Sequence, residues 1–321
     1  MLLEDIGFYT LTEERVRTAS HRTPLSRCEL ILTSKCNFRC PYCRSIGGED
    51  MDFTQASDIV HMWAKHGLKA IRFSGGEPTL WPGLRDLCFE AKTVGINRIA
   101  ISTNGSADTK VYDFLLQHCG VNDFSVSLDA CCAGDGDRMA GGITGAWYRV
   151  AKNIEWLASR TYVTVGIVLT EHNIDGAAET IRFAASLGVS DIRVIPAVQF
   201  SNRLRNIDIG MGLLEKYPIL RYRINNIKEG LPVRGLMAND SAKCGLVLDD
   251  MAVNHGKHYP CIIYMREGGK AIGLVGANMR DQRFKWYKRH KTHEDPICRN
   301  QCLDVCREYS NKYEAYRGTP E

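Results

Sequence analysis

The sequence predicts an α/β fold, a partial (β/α)6 barrel of TIM type followed by a small C-terminal hairpin-plus-helix unit. Three observations lead there. From residue 29 to about residue 200, short β-rich runs alternate with longer stretches of helical periodicity. The loops with chemically suggestive residues all follow a short run, as they do at the mouth of a parallel barrel. Past about Phe200 the alternation stops, and residues 246–275 hold short β-like runs set off by Gly-rich turns.

Taken in order, Glu29–Ser34 reads as the first strand and Phe53–His66 as a helix with apolar residues at helical spacing. Lys69–Phe73 is the second strand, with a helix over Leu84–Val94. Arg98–Ser102, Asp108–His118, Asp123–Ser127, Ala146–Ser159, Tyr162–Leu169, Ile174–Leu187 and Asp191–Ile195 continue the series. The sixth helix is poorly defined by the pattern. Repeated strand–helix units impose a parallel sheet, because parallel neighbours need crossover connections. Six units suit an open partial barrel better than a flat doubly wound sheet, a choice that periodicity alone does not make. Leu246–Val253, Ile262–Met265 and Lys270–Val275 read as the short strands of the terminal hairpin unit. The expected organisation is an N-terminal extension (1–28), a barrel core (29–200), a connecting segment (201–243) and a terminal unit (244–321).

The composition is that of a soluble globular protein, with 44% hydrophobic and 24% charged residues. A net charge of +4 over 321 residues gives no support to nucleic-acid binding. The basic run Lys285–Lys291 reads as a solvated helix face rather than a phosphate site. No stretch approaches the ~20 apolar residues of a membrane span, and no secretory signal is visible at Met1–Asp5. A cytoplasmic location is expected, with no membrane partner.

Thirteen cysteines in a reducing compartment point to metal ligands or catalytic groups rather than disulfides. Cys88 and Cys119 read as small buried hydrophobes. Cys36-Asn37-Phe38-Arg39-Cys40-Pro41-Tyr42-Cys43 forms a C-x3-C-x2-C run in the loop after the first strand. Three close thiolates can hold three irons of a cubane cluster and leave the fourth iron open. A zinc site would need a fourth ligand nearby, but His21 lies upstream of the strand and His61 on a predicted helix.

This run is similar to the signature of the radical S-adenosylmethionine (SAM) superfamily, including the aromatic Tyr42 before the third cysteine. Ser74-Gly75-Gly76-Glu77-Pro78 after the second strand resembles the family's loop for the SAM amino group. Ser102-Thr103-Asn104-Gly105 and Ser127-Leu128-Asp129 follow in order at the ends of strands three and four. The resemblance implies a [4Fe–4S] cluster on Cys36, Cys40 and Cys43 with one open iron, and SAM bound to it. It implies cofactor contacts from Tyr42, Gly75, Gly76, Glu77 and Pro78, with Asn104 and Ser127 at the ribose or carboxylate. Arg193 and Ile195 would line the adenine site. The glycines would let backbone approach the ligand, and Glu77 would accept from its ammonium group. Polar residues that merely finish strand ends are the plain alternative for Asn104 and Ser127. The implied chemistry is one-electron cleavage of SAM to a 5′-deoxyadenosyl radical that abstracts hydrogen from an unactivated C–H bond, with an external donor of flavodoxin or ferredoxin type.

Cys244, Cys261, Cys298, Cys302 and Cys306 supply five more thiols. They resemble the auxiliary-cluster region called SPASM or, in its one-cluster form, twitch, which implies a second [4Fe–4S] cluster with all four irons held. Structural zinc on four thiolates is the competitor. Cys244, Cys261 and Cys306 match the family best, and either Cys298 or Cys302 is the fourth ligand. At most one of Cys261, Cys298, Cys302 and Cys132 would donate hydrogen to a substrate radical, and Cys131 beside Cys132 sits in the same loop.

The favoured function is oxidation or epimerisation of a small polar substrate such as a sugar, aminocyclitol or nucleoside. A maturase acting on a ribosomal peptide or other macromolecule is the alternative. Only 28 residues precede the first predicted strand, which argues against a fused leader reader of about 80 residues but not a separate one. A non-catalytic iron–sulfur or zinc protein is a third reading, disfavoured by the intact Gly75-Gly76-Glu77.

Overall fold

The computed structural model describes residues 2–6, 11–44, 47–203 and 207–318. Its centre is a run of six parallel strands: β1 (Arg27–Thr33), β2 (Ala70–Gly75), β3 (Arg98–Thr103), β4 (Asp123–Ser127), β5 (Tyr162–Leu169) and β6 (Asp191–Pro196). Helix α1 (Glu13–Thr18) precedes them. Between them lie α2 (Phe53–Lys65), α3 (Leu84–Thr93), α4 (Thr109–Gln117), α5 (Ala133–Met139), α6 (Ala146–Ala158) and α7 (Ala177–Ser186). Helices α8 (Met211–Lys216) and α9 (Pro218–Lys228) follow β6, and α9 packs on β6 as the sixth barrel helix that the sequence pattern left undefined.

Strand alternation explains the layers. On β1 to β6, Leu30, Leu32, Ile71, Phe73, Ile99, Ile101, Phe124, Val126, Val163, Val165, Ile192 and Val194 join one core with the helices. Each such side chain contributes about 1.5–3 kcal/mol by leaving water. The intervening positions face inward and are mostly polar: Arg27, Glu29, Arg72, Ser74, Ser102, Ser125, Thr164, Asp191 and Arg193. Helix α2 shows the local logic. The Asp52 carboxylate accepts from the Gln55 N–H at its start, and Ala56, Ile59, Val60 and Trp63 form its buried stripe.

The terminal residues continue the same sheet. Strand β7 (Asp250–Asn254) pairs parallel with the free edge of β1, β8 (Lys257–Tyr259) pairs antiparallel with β7, and β9 (Gly273–Leu274) antiparallel with β8. The order is therefore β6-β5-β4-β3-β2-β1-β7-β8-β9. Arg27 sits opposite Asp250 in the β1–β7 register and pairs with it at 2.5 Å. Helices α10 (Ile262–Arg266), α11 (Met279–Arg289), α12 (Pro296–Gln301) and α13 (Asp304–Gly318) complete the chain.

Several boundaries differ from the sequence pattern. Strand β1 starts two residues early, at Arg27, inside the expected N-terminal extension. Ile262–Met265 is helix α10, not a strand, because the Cys261 thiol caps it by accepting from the Tyr264 N–H at 3.4 Å. The first half of Leu246–Val253 is a 3-10 turn, Gly245–Leu248. Helix α5 had no signal, since Gly134 and Gly136 lower its propensity. The basic run does form a helix, α11, with Lys285, Lys288 and Arg289 exposed.

Arg283 of α11 pins this extension. It is fully buried, and its guanidinium donates to the carbonyls of Val247 (2.8 Å), Tyr259 (2.9 Å), Asp250 and Pro260. Replacing it by Met strands those acceptors in a dry site. Arg283→Met should cost on the order of 3–5 kcal/mol in urea unfolding, whereas a loss below about 0.5 kcal/mol, the usual size for a surface change, would show the carbonyls find other donors.

Candidate active site

The loop after β1 carries Cys36, Cys40 and Cys43, and its shape is set by backbone pairing with the loop after β2. Gly76 N–H donates to Thr33 O and Glu77 N–H to Lys35 O, both at 2.8 Å. A Cβ on Gly75 would lie 2.3 Å from Thr33 O, and one on Gly76 would lie 2.2 Å from Lys35 O. Gly75 also has φ +150. The approach of the β1 backbone by itself thus requires glycine at both positions.

Above this junction lies a cavity open to solvent. Cys36, Cys40, Cys43, Tyr42, Gly75, Gly76, Asn104 and Ser127 all line it, so most of the residues selected from sequence meet at one place. Asn104 donates through Nδ2 to Asn37 Oδ1 (2.8 Å) and to the Cys36 thiol (3.8 Å). Arg39 N–H donates to Ala140 O at 3.0 Å and ties the thiol loop to the end of α5.

Glu77 is placed otherwise than expected. Its carboxylate is fully buried and accepts from Thr79 N–H (3.1 Å), Thr79 Oγ1 (2.7 Å), Thr103 Oγ1 (2.8 Å) and Asn104 N–H (2.6 Å). Four donors of its own chain saturate it, so it braces the β2 and β3 loops instead of facing the cavity. Pro78 is likewise buried, at the start of a 3-10 turn. Arg193 and Ile195 do not line the cavity and lie on the inward side of β6. Cys132 is exposed at the N-cap of α5, bonded to Asp135 at 3.4 Å, and it and Cys131 both lie outside the cavity lining.

Asp129, Arg266 and Trp147 are among the cavity residues that the sequence motifs left without a role. Asp129, which closes β4, accepts from Tyr42 OH at 2.5 Å and from Val168 N–H at 2.7 Å. Burial pushes its carboxyl up to about 6, against the pull of those two bonds. Arg266 reaches in from α10 and donates to Gly75 O at 3.4 Å. Trp147 forms part of the wall and donates to Ala130 O at 2.9 Å. Only Asp129 had a signal, as the acid ending the fourth strand's motif. Arg266 comes from the far end of the sequence.

Cys244, Cys261, Cys298, Cys302 and Cys306 converge on a second, small and mostly apolar cavity with Ile263, Tyr264 and Trp286. Burial pushes all five thiols upward. Cys261 caps one end of α10 and Arg266 stands at the other, so one five-residue helix joins the two cavities. It spans about 8 Å. Cys88 and Cys119 are buried core residues, as expected for small hydrophobes, and Cys28 is buried in the same core.

The model of the radical SAM superfamily matches residues 30–184. The barrel thus matches a radical SAM domain from β1 to α7. Among curated proteins, this chain is 28% identical over 187 residues to a probable GTP 3′,8-cyclase of Metallosphaera sedula, covering 54% of this chain and 56% of that protein. It is 35% identical over 105 residues to the GTP 3′,8-cyclase of Chlorobaculum tepidum, covering 31% and 32%. The chain thus spans about half the length, or less, of these relatives. Among solved structures it resembles SuiB of Streptococcus suis (TM-score 0.59, 16% identity, 86% of this chain and 67% of that one). It also resembles native anSMEcpe with bound AdoMet (TM-score 0.57, 15% identity, 91% and 94%). At such identities the likeness concerns the fold alone.

The donor set of the radical SAM domain fits a cubane better than zinc. Four thiolates on zinc stand about 3.8 Å apart. Among the described residues, no three cysteine thiols lie within 4.8 Å of one another, at either cavity. The wider spacing suits thiols that each take a different iron. Burial first, then Asp129 and the neighbouring thiols, push the Cys40 thiol up to about 12, so a bound cation is needed for thiolate there.

Two outcomes follow. Changing Cys36, Cys40 and Cys43 together to Ala should remove about four irons per chain from anaerobically reconstituted protein; an unchanged iron content would remove these thiols from the cluster. Asp129 gives a pH test. Its folded pKa of about 6 lies above the ordinary 3.8, so between those values the fold keeps a proton that the unfolded chain has lost. Stability from this group falls as pH rises through that window and is level above it. Asp129→Asn should therefore reduce the stability gained between pH 7 and pH 5 by on the order of 1 kcal/mol, and an identical pH response in both proteins would contradict the assignment.

Proposed function

We propose that this protein is a radical SAM enzyme acting on a small polar substrate that carries an anionic group, of nucleoside or nucleotide class. The observation that carries this reading is the charge inside the barrel. Arg72 of β2 and Arg193 of β6 occupy inward positions. Both Nε–H groups are buried without an acceptor among the described residues. Arg193 donates to Ser125 Oγ at 2.9 Å, and its Nη2 lies 3.6 Å from where a Cβ on Gly166 would sit. Burial first, then the charges of Arg72 and Arg223, pull the Arg193 pKa down to about 10. Glu29 is the carboxylate that acts on Arg193, and it already accepts from Ser74 at 2.7 Å.

A buried guanidinium with a second guanidinium beside it costs stability, and such a cost is kept where a ligand offsets it. Arginine forks match phosphate and carboxylate oxygens. The named activity of the relatives, GTP 3′,8-cyclase, has a nucleotide substrate of this charge. It supports the class and not the particular reaction.

In this reading Cys36, Cys40 and Cys43 hold a [4Fe–4S] cluster, and Gly75, Gly76, Asn104, Ser127, Tyr42 and Arg266 frame SAM. The loaded pair, reduced by an external one-electron donor of flavodoxin or ferredoxin type, supplies a 5′-deoxyadenosyl radical for hydrogen abstraction. Trp147, Met139 and Val150 close the cavity wall against water. Tyr42, held by Asp129, fixes the thiol loop against the end of β4. Cys244, Cys261, Cys302 and Cys306 hold an auxiliary cluster, which can accept an electron if the outcome is oxidation. A thiol held by iron has no hydrogen to return, so an epimerisation would draw on a thiol outside this set, and Cys132 lies outside the cavity lining.

Release of 5′-deoxyadenosine by reconstituted protein with SAM and dithionite tests the class. Nucleotides and phosphorylated sugars should stimulate it, while their neutral counterparts should not. Replacing Arg72 and Arg193 by Met should cut that stimulation roughly 10- to 100-fold while leaving the melting temperature equal or higher. Equal stimulation by neutral compounds would overturn the anionic reading, and stimulation only by the peptide or nucleic-acid fraction of a cell extract would overturn the small-molecule one.

A further inference from the structure

Five thiols face the second cavity, and a cubane takes four. Cys298 differs from the other four in standing in a close triplet with donors of other kinds. Cys298 Sγ lies 3.5 Å from His290 Nε2, and that nitrogen lies 3.9 Å from Asp295 Oδ2. The three ligand atoms all fall within 4.8 Å of one another, the single such triplet of His, Cys, Asp or Glu among the described residues. Bond lengths of about 2.3 Å to sulfur and 2.0–2.1 Å to nitrogen and oxygen put tetrahedral ligands of zinc roughly 3.3–3.6 Å apart. The triplet comes close to that pattern, whereas no three thiols at the cavity do.

We propose that His290, Asp295 and Cys298 form a mononuclear site for a divalent cation of zinc type, distinct from the thiol set formed by Cys244, Cys261, Cys302 and Cys306. A sulfur, an imidazole nitrogen and a carboxylate oxygen are a donor set that zinc favours over magnesium or calcium. A solvent oxygen supplies the fourth ligand.

The surroundings hold these donors in place. Asp295 is the N-cap of α12, its Oδ1 accepting from Ile297 N–H (2.8 Å) and Cys298 N–H (2.9 Å). This leaves Oδ2 on the side of His290, where Tyr264 OH donates to it at 2.9 Å. A hydroxyl bonded to a ligating carboxylate is the kind of outer contact that orients metal ligands. Trp286 stacks on the His290 ring at 3.9 Å between centroids, and Tyr264 meets it edge-on at 6.1 Å. All three donor residues are half-buried. The ligands follow one another as H-x4-D-x2-C at the join of α11 and α12, so a bound ion would staple that turn to α10, which carries Tyr264 and Arg266.

The test reads metal and not turnover, so it stands apart from the substrate reading. The complete chain is reconstituted anaerobically with iron and sulfide, then given Co²⁺ as a spectroscopic stand-in for zinc. Wild type should take up about one Co²⁺ per chain with a thiolate-to-cobalt charge-transfer band. His290→Gln and Cys298→Ser should each lose the band and bind at least ~10-fold more weakly, while iron stays at about eight per chain. Absence of the band in wild type would overturn the site without recourse to any variant. Loss of about four irons in Cys298→Ser would also overturn it, by making Cys298 a cluster ligand.

Discussion

Strand β1 is hydrogen-bonded on both edges, and the rest of the molecule is arranged around that fact. On one side β2 fixes the loop that carries Cys36, Cys40 and Cys43, through Thr33 and Lys35 carbonyls that only glycine at 75 and 76 can approach. On the other side β7 anchors the segment that carries the remaining thiols. The Arg27–Asp250 pair sits at the seam and Arg283 locks it from below. A single strand thereby sets the position of one thiol group relative to the other, with α10 as the bridge between them.

The barrel separates its two duties by strand parity. Odd and even positions of the same strand face different media, one a dry packed core and the other a polar lumen. The outer face provides the stability that lets the lumen keep costly groups such as Arg72, Arg193 and Asp191, whose carboxyl burial pushes up to about 7. Glu77 shows the same economy: its buried charge is stabilised by four donors from adjoining loops, and those loops in turn shape the cavity.

Much of this was legible in the sequence where the signal was local. The C-x3-C-x2-C run and the polar strand ends lie within a few residues of the structure they create, and they meet at one cavity. Side-chain direction was less legible. Glu77 and Arg193 carry motif-like positions but turn into the fold, because the donors and acceptors that settle their orientation come from other strands. Ile71-Arg72-Phe73 did hold a signal, a charge between two core residues, which places Arg72 inward. Helix α10 was misread as strand because Ile262-Ile263-Tyr264 suits a sheet, while the cap from Cys261 and the contacts of Arg266 are tertiary. The grouping of His290 with Asp295 and Cys298 needed the turn between α11 and α12.

The central claim is that the loop after β1 holds a cubane whose open iron takes SAM. Electron paramagnetic resonance of the dithionite-reduced, reconstituted protein tests it most directly, recorded before and after SAM is added, in a Cys244→Ala/Cys306→Ala background that removes the auxiliary signal. The account predicts a reduced-cluster spectrum whose g values shift when SAM binds. A spectrum indifferent to SAM, or no cluster signal at all in that background, would contradict it.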